Sequence, residues 1–188
     1  LTGASFYVTS KAIDDVTNEE GSGAGNQGTL RSSTFTYDIN VPTSALRNPA
    51  NNSYKRASTL ATISGTSQDW VSVSNAVNRI SRIQCFIRRS TDGAYLNDAD
   101  GNGTAAAPNW TASQTAISIS TDSLPFGNTW SYSLNESYLT HNASYFIWVN
   151  ARDLAGNDQP GFEVSVSSNF FIYDTSIPDV FIAPNAPI

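Results

Sequence analysis

The chain has 188 residues, of which 39% are apolar and 11% aromatic but only 14% charged, enough apolar material for one good core and part of a second. A net charge of −6, with Lys11 and Lys55 as the only lysines, leaves no basic surface to neutralise phosphates and argues against a nucleic-acid partner. One cysteine, Cys85, excludes an intrachain disulfide, and no run approaches the ~18 apolar residues of a membrane-spanning helix, so no membrane insertion is expected.

Residues 1–41 contain two strand-like runs. Phe6, Val8, Ser10 and Ala12 alternate with Tyr7, Thr9 and Lys11, a Gly-rich loop spans Glu19 to Gly28, and alternation resumes over Ser32–Tyr37. Two strands alone are marginal, so 1–41 is expected to be the C-terminal hairpin of a preceding, partial repeat. Pro42–Ser53 suits an irregular first strand at a sheet edge, because proline cannot donate to a ladder. Ser58–Thr66 reads as a strand ending in a Gly turn, followed by a polar loop over Ser67–Asn78 that carries Asp69 and Trp70. Arg79–Arg89 sends Ile83, Cys85 and Ile87 one way and Arg82, Gln84 and Arg88 the other. Asn97–Pro108 is a loop, Ala116–Ile119 a short strand, and Trp130, Tyr132 and Leu134 share one face of the next. Tyr145, Ile147, Val149 and Ala151 form the inner face of a further strand, with Phe146 and Trp148 outside, and Phe171 and Tyr173 the inner face of the last. No segment shows a sustained helical period. About seven short alternating strands with polar turns predict an all-β, antiparallel β-sandwich, with a closed barrel as the alternative.

The chain also repeats itself. Gly3–Asn18 lies on Asn142–Asn157 without a gap, and after a loop three residues longer in the first copy, FTYDINVP (Phe35–Pro42) lies on FIYDTSIP (Phe171–Pro178). Nine of the 24 paired positions are identical, which defines an internal repeat and a tandem array. The division is then a partial repeat over 1–41, a complete one over 42–178, and at 179–188 the first strand of a following repeat or an exchanged strand. The N-terminus carries neither Met nor a signal peptide, as expected of a processed or excised segment.

Three fragments carry a family resemblance: G-T-x-x-D at Gly65–Asp69, A-x-D-x-A-G-N at Ala151–Asn157 and Y-D-T-x-x-P at Tyr173–Pro178. With the strands between them they resemble the bacterial immunoglobulin-like repeats of large surface proteins and adhesins. The resemblance implies an immunoglobulin-like β-sandwich, an extracellular or cell-surface location, a spacer or adhesive role in a stalk or fibre, and no catalysis. The chain departs from the pattern at Asp14–Asn18, which reads DDVTN, and in the length of the insertion around Asn97–Pro108.

Strand order places two loops and one linker at one pole. Asp69 follows the second strand, Asp153 and Asn157 follow the sixth, and the linker through Asp38 enters there. Three carboxylates converging would repel one another, and a hard cation with oxygen ligands resolves the conflict; Ca²⁺ accepts irregular coordination by six to eight oxygens. The competing reading is that each Asp caps its own turn. A second candidate is Asp98-x-Asp100-x-Asn102-Gly103, which has the spacing of the first half of a calcium loop but Asn109 where a bidentate Glu is expected; a plain Asp/Asn/Gly turn is the alternative.

The remaining residues add little chemistry. Cys85 reads as a small core residue. His141, the one histidine, has no nucleophile at suggestive spacing, so no triad and no enzyme is expected. Phe146 and Trp148 could stack on a sugar or pack beneath the long loop before Asn109, and Trp110 is a further glycan candidate. The expected partners are neighbouring repeats or identical chains assembled into a filament by strand exchange, with glycans or cell surfaces as the alternative.

Overall fold

The computed structural model describes residues 3–17, 31–69, 80–98, 109–119 and 129–178. The expected Gly-rich loop, Trp70, Asp100, Asn102 and the C-terminal stretch 179–188 lie outside the described residues. Twelve strands are present among them and no α-helix, with one short 3₁₀ turn at Glu136–Tyr138.

Strands β1 (Ala4–Ser10) and β2 (Arg31–Tyr37) form a two-stranded ribbon. The other ten build two sheets that face each other in a sandwich-like arrangement. The smaller sheet runs β10 (Thr129–Ser133), β5 (Thr62–Gln68), β3 (Thr43–Asn48). The larger runs β4 (Ser53–Lys55), β12 (Ser168–Tyr173), β11 (Ala143–Asp153), β6 (Ile80–Arg89), β7 (Tyr95–Asn97), β8 (Asn109–Thr111), with β9 (Ile117–Ile119) on the N-terminal half of β6. Pairing is antiparallel throughout except β12 with β4.

The expected edge strand Pro42–Ser53 is two strands. The chain leaves β3 in one sheet, turns through a cis Asn48–Pro49 bond, and enters the other sheet as β4. The second strand begins at Thr62, later than the alternation suggests. Residues before it are held as a turn by Glu136, whose carboxylate accepts the backbone N–H groups of Ser58 (2.6 Å) and Leu60 (2.8 Å). A side chain remote in sequence thus supplies bonds that a ladder would otherwise offer.

The core is the expected one. Ile83, Cys85, Ile87, Trp130, Tyr132, Ile147, Val149, Phe171 and Tyr173 are all buried, so the alternation of β6, β10, β11 and β12 has the anticipated register. Burial pushes the Cys85 thiol well above its ordinary range, which makes it a small apolar side chain and not a nucleophile.

The ribbon and the β11–β12 hairpin share one geometry. Ala4 faces Tyr37 and Phe6 faces Phe35, as Ala143 faces Tyr173 and Tyr145 faces Phe171. Gly3 N–H donates to the Tyr37 carbonyl at 2.8 Å, as Asn142 N–H does to Tyr173, and both donors have positive φ. The Phe6–Phe35 rings stack at 5.2 Å and 19°, the Tyr145–Phe171 rings at 5.2 Å and 21°. The environments differ. Tyr145, Ile147, Phe171 and Tyr173 are buried, whereas their counterparts Phe6, Val8, Phe35 and Tyr37 are exposed.

Gly65 sits between Leu46 and Trp130 in the smaller sheet. A Cβ there would lie 2.0 Å from the Ala45 carbonyl oxygen and 2.3 Å from Trp130 Cζ2, because the indole lies across the glycine. No rotamer change moves a backbone carbonyl aside, so Gly65→Ala is expected to destabilise the sandwich by ~3 kcal/mol. Urea unfolding followed by tryptophan fluorescence measures this, and an unchanged midpoint would contradict the packing.

Candidate metal centre

Asp38, Asp69 and Asp153 meet at one pole, as strand order anticipates. One carboxylate oxygen from each lies within 4.8 Å of the others. Asp69 and Asp153 are each 1% exposed and Asp38 is half-buried. Two oxygens bound to one Ca²⁺ at about 2.4 Å can be no more than about 4.8 Å apart, so the spacing admits a shared ion. With all three ionised, each pair repels by roughly 3 kcal/mol at the effective dielectric of a protein surface.

The local bonds explain how each carboxylate is aimed. Asp38 Oδ1 accepts from Asn40 N–H at 3.0 Å, a self-capped turn that starts the linker. Its counterpart Asp174 makes the same turn with Ser176 N–H at 2.8 Å. That turn also binds the Ser176 hydroxyl, and these bonds hold the Asp174 carboxyl below its usual range. Asp153 ends β11 and caps the following turn. Its Oδ1 accepts from Gly156 N–H (2.6 Å) and Asn157 N–H (2.8 Å), and its Oδ2 from Asn157 Nδ2 (2.8 Å). Gly156 has φ +98°, the left-handed conformation glycine adopts without strain. At the matching place in the first copy Thr17 has φ 67°.

Capping and clustering therefore coexist at Asp153. Asn157 reaches the junction as a donor, and its Nδ2 also contacts the Asp38 carbonyl oxygen at 3.2 Å. It ties the linker to the end of β11. Asp69 is delivered by the last residues of β5, one position beyond Gln68.

The second candidate resolves differently. Asp98 follows β7, is 1% exposed, and accepts a 2.5 Å hydrogen bond from the Tyr132 hydroxyl of β10. Burial, then this bond, pushes the Tyr132 phenol far up, so it stays a donor. Asp98 thus tethers the larger sheet to the smaller through one oxygen, while Asp100 and Asn102 lie outside the described residues. Nothing in the spacing of Asp98 pointed to Tyr132. Trp110 packs on Tyr145 (5.8 Å) and lies under the Arg89 guanidinium (4.4 Å). His141 Nδ1 accepts from Thr175 N–H at 3.0 Å in the turn beside Asp174.

Compared with known proteins, the chain matches no protein-family model and no curated protein.

Removing the Asp153 carboxylate orphans two backbone donors and takes the shorter of two acceptors from the Asn157 amide. Asp153→Ala is expected to cost about 2–3 kcal/mol even in the presence of a chelator. Chemical denaturation in EDTA checks this, and a loss below about 0.5 kcal/mol would mean the cap contributes nothing.

Proposed function

We propose that this chain belongs to a tandem array of immunoglobulin-like units in an extracellular or cell-surface protein, and that its work is mechanical. It holds a distal part of a stalk or fibre away from the cell, and Ca²⁺ at the junctions stiffens the array. The observation that carries this reading is the ribbon, which matches the β11–β12 hairpin in register and ends in the same self-capped Asp before a proline. An apolar face like that of Phe6, Val8, Phe35 and Tyr37 is core material, and in the complete unit the equivalent residues are covered by the other sheet. A further unit of the same kind supplies that cover.

Two features favour the immunoglobulin-like assignment. One is the division of strands β3-β5-β10 against β4-β12-β11-β6, which follows the arrangement of that sandwich. The other is Tyr145, near the start of β11, whose hydroxyl accepts from Thr140 N–H at 2.7 Å; a tyrosine at this corner bonding back to upstream backbone is a hallmark of the fold.

The Asp38–Asp69–Asp153 cluster favours calcium. It joins a linker residue to two loops of the sandwich, so an ion there links unit to unit. Proline at position 42 fixes φ at the same joint. Calcium is expected to raise the melting temperature of the wild-type chain by mass action and to make the ribbon amides relax with the sandwich in ¹⁵N NMR; EDTA reverses both. Asp69→Asn removes one of three repelling charges, so it should melt no lower than wild type in EDTA while losing most of the calcium response. Identical wild-type melting with calcium and with EDTA would remove the ion from the account.

The bare ribbon face also favours a second reading, in which copies of the chain pair through it into a filament. Sedimentation equilibrium separates the two. Growth with concentration that Phe6→Asp abolishes supports the filament, and a monomer at millimolar concentration rejects it.

A further inference from the structure

The outer face of the larger sheet carries a second aromatic cluster that the array reading does not use. Trp148 of β11 and Phe86 of β6 are directly paired across the strands, with rings parallel at 5.1 Å and 8°. Tyr95 of β7 meets Trp148 edge-on at 5.8 Å. Phe162, from the β11–β12 loop, closes on Phe146 and Trp148, both at 5.6 Å. With its amide oriented so that the nitrogen faces the two carbonyls it approaches, Asn150 pins that loop to the sheet, donating to Val149 (3.0 Å) and Gly161 (3.2 Å).

Between these walls lies a cleft of about 400 Å³, inside the ~300–1,000 Å³ span of small-ligand sites. Its floor is the buried Trp148 and its lip the exposed Phe162. Polar groups interrupt the aromatic lining: the amides of Asn150 and Gln114 and the guanidinium of Arg88, the one charged group in the described lining. Arg88 is positioned by a 3.3 Å bond from Nε to the Gly93 carbonyl and by the Tyr95 ring, 6.0 Å away.

The repeat separates framework from addition. Core positions correspond between the two copies, Phe6 with Tyr145 and Val8 with Ile147, but Trp148 corresponds to Thr9. A sandwich of this kind needs an inner face and does not need an indole outside. The cleft is a feature of this unit.

We propose that the cleft binds a saccharide, one or two pyranose rings long, with a carboxylated sugar favoured. A pyranose offers an apolar C–H face to an aromatic ring and a girdle of hydroxyls to planar amides at its rim. Phe162, Phe146 and Tyr95 supply the first surface, and Asn150 and Gln114 the second. Among the described residues Arg88 forms no ion pair with a carboxylate, and its fork matches a sugar carboxylate. A proline-rich peptide also stacks on aromatic rings, but it wants an extended groove and not a short cleft closed by a loop.

The proposal is independent of calcium and of the array. Its test is a glycan array on the 188-residue chain in EDTA, followed by titration of retained oligosaccharides, uronic-acid-bearing and neutral, against tryptophan fluorescence. Saturable binding is expected, weakened at least tenfold by Phe162→Ala. Arg88→Gln is expected to reduce binding of the acidic sugar to the level of its neutral analogue. Gln114→Ala, at an exposed position, gives a second variant should Phe162→Ala misfold, and it too should weaken binding. No retained saccharide, binding unchanged in both Phe162→Ala and Gln114→Ala, or retention of a polyproline peptide in place of sugars overturns the proposal.

Discussion

Strand β11 is hydrogen-bonded along both edges, to β12 on one side and β6 on the other, and this double pairing organises the molecule. A strand held on both edges cannot rotate, so its side chains must alternate strictly between the two faces of the sheet. Tyr145, Ile147, Val149 and Ala151 are committed to the core, and Phe146, Trp148 and Asn150 to the outer cleft. Its last residue, Asp153, is delivered to the pole where the linker arrives. Core, cleft and junction are three consequences of one register. A slip by one residue would exchange the aromatic floor with the aliphatic core and abolish all three.

The junction sets two demands against each other. A carboxylate taken out of water needs hydrogen bonds or a counter-charge. Asp153 has both its oxygens occupied by donors of its own turn, which serves one carboxylate and does nothing for the mutual repulsion of three. Placing the third carboxylate on the linker makes the resolution of that repulsion depend on how the linker lies. In the proposed array, a cation bound there would act on the angle between units more than on the stability of either. Asn157, bonded to both Asp153 and the Asp38 backbone, gives the joint a neutral tie that does not depend on an ion.

The two faces of the larger sheet have been put to different uses. The inner face meets β3 and β10 and is aliphatic and aromatic in the ordinary way. The outer face carries a smaller aromatic cluster sheltered by one loop, which leaves rings partly open to solvent. Packing inside a sandwich tolerates little change of volume, whereas a loop-covered outer cluster can be altered without touching the core. The two hairpins match inside at Phe6/Tyr145, Val8/Ile147 and Ala12/Ala151 but not at Ser10/Val149, and outside they keep an aromatic at Tyr7/Phe146 while diverging at Thr9 and Trp148.

The sequence alone determined the all-β class, the inner faces of β6, β10, β11 and β12, the equivalence of the two hairpins and the pole at which Asp38, Asp69 and Asp153 meet. All of these follow from two-residue alternation and from strand order, which are local or nearly so. Tertiary structure decided the rest. Nothing near Phe162 in sequence says that its loop folds back on Trp148, and nothing near Phe86 says that an outward position will be buried. Glu136 shortens β5 from 76 residues away, Asp98 is claimed by Tyr132 across the sandwich, and the first strand divides between two sheets. Each of these is a contact between segments whose meeting depends on how loops close. Alternation says which side of a strand a residue faces; only the closed chain says what it finds there.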